Sequence, residues 1–291
     1  MQNKRAIKKK DILFSAFIWI SAGITVAVLV AILGYILING IPNMTLDFLT
    51  STYSASKNGN KGILPMIINT LYIVLFSLAL ATPVGIGSAI YLTQYAKQGR
   101  LVKAIRFTTE VLTGIPSVLF GLFGYALFVV LFGFRLSILS GSLTMMICIL
   151  PTIVRTTEEA LLSVPASFRE GGLALGAGKL RVTIGIVLPS AMPGVLTGII
   201  LAMGRIVGET AALLFTVGVS GNAMPKGDNV FDAVFGHIFE QGNTLALHLY
   251  NSAMNGKDPV SVPFATAAAL MILVFGLNRL AGIMTKKLRK Q

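Results

Sequence analysis

Residues 169–189 read REGGLALGAGKLRVTIGIVLP, a charged, glycine-punctuated run between two long apolar blocks. Its spacing is ordered: Glu170, then Gly176, then Ile186, Leu188 and Pro189. Ser167-Phe168-Arg169-Glu170 has the form of a capping box, in which the serine hydroxyl accepts an amide proton and the glutamate reaches back to the cap amide. Gly176 and Gly178 suit a helix end, and a second short helix is expected from about Lys179. Leu173, Leu175, Ile184 and Ile186 are the apolar positions expected to hold the two short helices under a membrane. A polar insert so built between spans implies a partner that docks on it.

The flanks point to a membrane. The chain is 54% hydrophobic and 12% charged, with a mean hydropathy of +0.79. Soluble domains carry about a quarter charged residues. Several apolar runs approach the length that crosses a bilayer. In lipid the backbone must bond within its own segment, and runs this continuous are helices; a barrel would show short alternating segments. The expectation is an all-α polytopic protein with about six spans: residues 13–38, 62–95, 111–132, 136–154, 186–217 and 262–284. The fifth reads as bent or broken. Pro83 with Gly85 and Gly87 suggests a bend in the second, and Pro116 a helix start or kink in the third. Pro189 and Pro193 are expected to open the fifth.

Domain organisation follows from these spans. Residues 1–61 hold a basic tail, the first span and a polar, turn-rich exterior segment. Residues 62–284 form the core, with a cytoplasmic loop at 155–185 and an exterior segment at 218–261. Residues 285–291 are a second basic tail. Within the exterior segment, VFDAVFGHIFEQGNTLALHLYNSAMN has the apolar spacing of one or two short helices, with Phe231, Phe235, Phe239 and Tyr250 expected on the inside. No convincing internal repeat is present, which weighs against an inverted-repeat secondary transporter.

The net charge of +13 reports orientation. Lys4, Arg5, Lys8, Lys9, Lys10, Lys97, Arg100, Lys103, Arg106, Arg155, Arg169, Lys179, Arg181, Arg279, Lys286, Lys287, Arg289 and Lys290 fall on one side. The alternate loops hold Lys57, Lys61, Arg135, Lys226 and Lys257. That bias places both termini in the cytoplasm, and no nucleic-acid partner is implied. The first apolar run is too long for a cleaved signal and reads as a retained signal-anchor. Cys148 is the single cysteine, so no disulfide or thiolate metal site can form within the chain. His237 and His248 have no cluster of ligand spacing around them, and no metal site is expected.

Arg205 and Glu209 lie in ILAMGRIVGETAALLF, deep in the fifth span. A charge at a helix centre costs ~2.5–3.5 kcal/mol on insertion scales, so it should face the protein interior and find a partner. Four residues apart, the two would share a helix face. One reading is a buried ion pair with no transport role. The other is a cationic step for an anion, because arginine stays protonated and offers a planar donor fork suited to phosphate oxygens. Small residues at Gly194, Gly198 and Ala202, then Gly204, Gly208 and Ala212, allow close helix approach, either within the chain or at a dimer seam.

Glu170, Gly176, Ile186, Leu188 and Pro189 match the signature E-x5-G-x9-I-x-L-P, and the chain here resembles the permease subunits of binding-protein-dependent ABC importers. Gly171 and Gly172 stand where that motif carries two alanines. Further blocks narrow the resemblance: NTLYIVLFSLALATPVGIGSAIYLTQYA from Asn69, TGIPSVLFGLFG from Thr113, LPTIVRTTEEALLSVP from Leu150 and RIVGETAALLFT from Arg205. They are similar to the PstA type of phosphate-importer permease. The resemblance implies a type I ABC importer permease fold and no enzymatic activity in this chain. It implies coupling to an ATPase through Glu170, Gly171, Gly172, Gly176, Ile186, Leu188 and Pro189, and a substrate pathway at Arg205 and Glu209. The implied partners are a second, PstC-like permease, two copies of a PstB-like ATPase, a PstS-like phosphate-binding protein outside, and the lipid bilayer of a bacterial cytoplasmic membrane. No cofactor is expected here, since ATP and magnesium would bind the ATPase. A permease for another oxyanion such as sulfate, molybdate or phosphonate, and an ion-coupled secondary transporter, stay open as alternatives.

Overall fold

The computed structural model describes the backbone of residues 2–54, 59–220, 223–225, 229–256 and 258–288. Lys57, Lys226, Lys257, Arg289 and Lys290, and the side chains of Phe231 and of the basic residues at 4–10, 286 and 287, lie outside the described residues. Thirteen α-helices are described: α1 (Gln2–Gly40), α2 (Leu46–Thr50), α3 (Leu64–Ile90), α4 (Arg100–Gly114), α5 (Ser117–Gly124), α6 (Ile138–Leu162), α7 (Ala166–Ala174), α8 (Lys179–Val182), α9 (Leu188–Gly208), α10 (Ala211–Thr216), α11 (Val230–His237), α12 (Leu245–Met254) and α13 (Ser261–Leu288). Among the described residues the extended pairing is a single antiparallel bridge between Tyr53 and Lys61.

Among the described residues, five helical stretches are long and apolar enough to cross a membrane: Phe14–Asn43, Leu64–Tyr95, Ile138–Leu162, Lys179–Gly208 and Ser261–Ile283. The expected third span is two helices. Arg100–Gly114 and Ser117–Leu131 meet at 102°. Pro116 explains the corner. It has no N–H to donate, and its ring disfavours helical geometry at Ile115, which is extended at φ −72°, ψ 131°. The fifth span does not open at Pro189 as expected. It starts at Lys179 and passes through a π-helical turn, Thr183–Val187, before α9. A wider turn here fits the missing donor of Pro189 and the crowding of its ring on the preceding turn. The same span breaks at Glu209 (φ −75°, ψ 127°) before α10 resumes. At Pro83 the helix continues, and α3 passes into a π-helical turn at Tyr91–Tyr95.

The core is centred on α3, α6 and α9, where Ile73, Met145, Ile149, Ile153, Ala202 and Ile206 are buried. Between helices in lipid, association depends on close approach and interhelical hydrogen bonds. Glycine supplies the approach. A Cβ at Gly194 would lie 2.6 Å from that of Ala160, and one at Gly198 would overlap Thr156. The first small-residue stripe of α9 is therefore filled by α6 of the same chain. Ser77 of α3 donates to the carbonyl of Ser142 at 3.0 Å. At the α7 end, Ala89, Ala160, Leu161, Val182, Val187, Ala191 and Val195 form a second cluster, which ties the polar insert to α3 and α6.

Candidate coupling loop and pathway residues

The insert is a helix, a sharp corner and a second helix. Its start differs from the expected capping box. Pro165 is the N-cap of α7 with no side-chain cap bond, so Ser167 falls inside the helix. Its end matches expectation: Gly176 takes φ +79°. Its amide donates to Leu173 O at 2.9 Å, and the amide of Ala177 donates to Gly172 O at 3.2 Å. This pair of bonds is a Schellman motif, which satisfies the last carbonyls of α7 through a left-handed glycine. Gly178 then caps α8.

Gly172 is buried, and a Cβ there would sit 2.9 Å from both Ile186 Cδ1 and Val182 Cγ2. That contact folds α7 back onto the start of the fifth span. A Cβ at Gly171 would meet nothing within 4 Å. Glu170 is exposed, Leu188 is half-buried and Pro189 is exposed. Leu173, Leu175 and Ile184 do not anchor the loop as expected: they are 45%, 89% and 54% exposed. The anchoring side chains are Val182, Ile186 and Val187. The loop thus exposes Glu170, Lys179 and Arg181 together with the apolar Phe168, Leu173 and Leu175, on a base formed by Val182, Ile186 and Val187.

Beside the loop, α4 is clasped to α6. Arg106 of α4 pairs with Glu158 of α6 at 2.5 Å. Arg155 of α6 lies 3.8 Å from Glu110 of α4 and 3.1 Å from Glu159. Glu158 is only 12% exposed, although it stands in the polar run RTTEEA at 155–160. These groups line a cavity of about 290 Å³ between the two helices.

Arg205 and Glu209 are both half-buried. They do not share a helix face, because α9 ends at Gly208. Among the described residues they form no ion pair within 4.0 Å. Glu209 Oε1 instead accepts the amide of Ala212 at 3.2 Å and so caps α10. A carboxylate at that position also complements the positive end of the helix dipole. Arg205 lies against the buried thiol of Cys148 on α6. A Cβ at Gly204 or Gly208 would meet nothing within 4 Å, so the glycine side of α9 faces open space here.

The α12 end is closed by short elements. Thr70 of α3 accepts the first amide of α12, from Leu245, at 3.0 Å. Phe235, Phe239 and Tyr250 are 44%, 58% and 44% exposed, so they line the outside of this cap. His237, Leu245, Leu247 and His248 are its inside. Tyr53 donates to Asp258 at 2.9 Å, and Asp258 pairs with Lys61 at 2.8 Å. Burial, then the hydrogen bond and the charge of Asp258, push the Tyr53 hydroxyl up to about 12. Burial pulls His248 down to about 4, with Asp258 opposing and Lys61 assisting. Sequence spacing did not single out this cluster, because its members come from segments far apart in the chain.

Residues 81–290 match the family of binding-protein-dependent transport system inner membrane components. The chain is 35% identical to the probable ABC transporter permease protein YqgI of Bacillus subtilis, over 93% of this chain and 94% of that one. It is also 35% identical to the phosphate transport system permease protein PstA of Xylella fastidiosa, over 67% of this chain and 71% of that one. An inward-facing structure of the MetNI methionine ABC transporter superposes on 78% of this chain and 95% of its own, with a TM-score of 0.62 at 17% identity. The chain belongs to the family of binding-protein-dependent ABC-importer permeases and is of the PstA type. It is a multi-pass membrane subunit with the type I importer fold.

Proposed function

We propose that this chain is the permease subunit through which an ATP-driven importer moves inorganic phosphate across a bacterial cytoplasmic membrane, with both termini inside. The observation that carries the reading is the α7–α8 loop. It has a fixed base on α3, α6 and α9 and an exposed face around Glu170. A push on that face reaches the spans through Gly172, Val182 and Ile186 with little slack. Phosphate as the cargo is supported by the names of the PstA relatives.

In this reading Glu170, Gly171, Gly172, Gly176, Ile186, Leu188 and Pro189 couple to a PstB-like ATPase, which binds ATP and magnesium. A PstC-like permease completes the pathway, and a PstS-like protein delivers phosphate from outside. Arg205 supplies a cationic step beside the open glycine face of α9. Glu209, held as the cap of α10, keeps the break that exposes that step. A site of this kind binds weakly enough for the anion to leave.

The test is ATP-dependent uptake by the reconstituted complex carrying Arg205→Gln. The expected result is a loss of phosphate uptake of tenfold or more, about 1.4 kcal/mol, at normal folded yield. Normal uptake removes Arg205 from the pathway, and sulfate uptake in preference to phosphate overturns the cargo.

A further inference from the structure

At the α12 end lies a buried histidine that the transport reading leaves unused. His237 ends α11 and is 1% exposed. Its Nδ1 lies 3.1 Å from Oε2 of Glu240, and its Nε2 lies 2.8 Å from Oδ1 of Asn69 on α3. The amide of Asn69 is oriented by its other end, where Nδ2 faces the carbonyl of Ala223 at 3.5 Å. Both ring nitrogens therefore face oxygen acceptors. A neutral imidazole has one N–H to offer, and only the imidazolium donates from both. When neutral, the ring keeps the bond to Asn69, which is fully buried, because an unmet buried acceptor is costly. Glu240 is 49% exposed and can turn to water instead. Adding the proton closes the second bond as a charge-assisted one.

The turn that carries these residues also caps α6. The amides of Ile138 and Leu139 donate to Glu240 O at 3.0 Å and to Ile238 O at 2.7 Å. Those amides have no partner within their own helix. Gly242 donates to Val217 O at 3.3 Å, which ties the same turn to the end of α10. Among the described residues, the titratable groups facing the imidazole are Glu240 from its own turn and Tyr72 of α3, whose ring stands edge-on at 5.1 Å. From α6 and α10 the turn meets backbone amides and carbonyls.

We propose that His237 is a positioning residue for transport: a proton-operated clasp that closes the turn at 237–242 on itself, a turn tied to α3 through Asn69 and to α6 through its backbone carbonyls. Protonation closes it, and the exterior mouth is held more firmly in acid than in alkali. The clasp stands on the geometry alone, and only its consequence for uptake rests on the function proposed above.

The test uses the assembled transporter in lipid nanodiscs. Amide exchange of residues 237–242, expressed as protection factors, is read at about pH 8 and about pH 5.5. In the unaltered complex, protection should rise several-fold at the lower pH. It should stay flat in His237→Gln and in Glu240→Gln, the second variant changing a half-exposed side chain that folding tolerates. The pH profile of phosphate uptake should flatten in the same two variants. His248, held down at about 4 by burial, stays neutral at both pH values and does not confuse the readout. Protection that ignores pH in the unaltered complex, or that keeps its pH dependence in Glu240→Gln, overturns the clasp. An uptake profile unchanged in both variants overturns its role in transport. Absent uptake with pH-dependent protection intact upholds the clasp and counts against the transport reading alone.

Discussion

Two adjacent glycines in the α7–α8 loop have opposite reasons to be there. Gly171 has open space around its missing Cβ, so alanine should stabilise α7 by about 0.8–1 kcal/mol through helix propensity. Gly172 is closed in by Val182 and Ile186 at 2.9 Å, so the same gain is cancelled or reversed by overpacking of about 1 kcal/mol or more. Thermal melts of the two single variants should place Gly171→Ala above the unaltered protein and Gly172→Ala at or below it. Glu209 is tested in the same way. Glu209→Ala removes the cap of α10 and should cost ~1 kcal/mol, whereas Glu209→Gln keeps an acceptor at that place. Uptake that survives Gln and fails with Ala shows that the cap matters; uptake lost in both shows that the charge does. His248 sets a pH limit. Its folded-state value near 4 lies below the ordinary 6.5, so the unfolded chain takes up a proton that the fold refuses. Stability is full above about pH 6.5 and falls as pH drops towards 4, by up to about 3 kcal/mol in the limit. His248→Leu should flatten that decline in the melting temperature.

At the scale of elements, the decisive joint is between α4 and α5. Pro116 is readable in the sequence as a helix start, but the direction of α4 is not. The 102° corner follows from what α4 rests on: Val102 buried against α6, and the reciprocal ion pairs Arg106–Glu158 and Arg155–Glu110. Those partners are 52 and 45 positions apart, beyond the reach of local spacing. The capping box failed for a local reason. Pro165 takes the cap position in an extended conformation, so the helix begins before Ser167 can cap it. The glycine corner at 176 was legible because a left-handed residue after a helix leaves few alternatives to glycine. The aromatics at 235, 239 and 250 were misplaced because helical spacing shows that a face is apolar, not which way it turns. A double-mutant cycle on Arg106→Gln and Glu158→Gln should give a coupling of about 1–2 kcal/mol, since Glu158 is largely buried and Arg106 partly so. The Arg155–Glu110 cycle, between exposed groups, should give a few tenths of a kcal/mol at most.

At the scale of the molecule, buried clusters lie along one bundle, among them the base of the loop, the α3–α6–α9 core and the packing of α12 on α13 and the start of α3. Hydrophobic run length made five of the six expected spans readable, and the remaining one is the bent pair Arg100–Gly114 and Ser117–Leu131. Arg205 was readable as a charge inside an apolar run. Its relation to Glu209 was not, because the chain breaks between them and assigns the carboxylate to a backbone amide. If the loop couples as proposed, a change there should alter uptake while leaving the cap around α12 undisturbed.

That claim is tested most directly by ATP-driven phosphate uptake and ATP hydrolysis measured together in proteoliposomes, with Gly176→Val in the loop. A β-branched residue at φ +79° cannot hold the corner. The account expects uptake to collapse at least tenfold, while the ATPase alone hydrolyses as before and Gly171→Ala transports normally. Full uptake with Gly176→Val, or uphill uptake by the chain with no ATPase present, would contradict it.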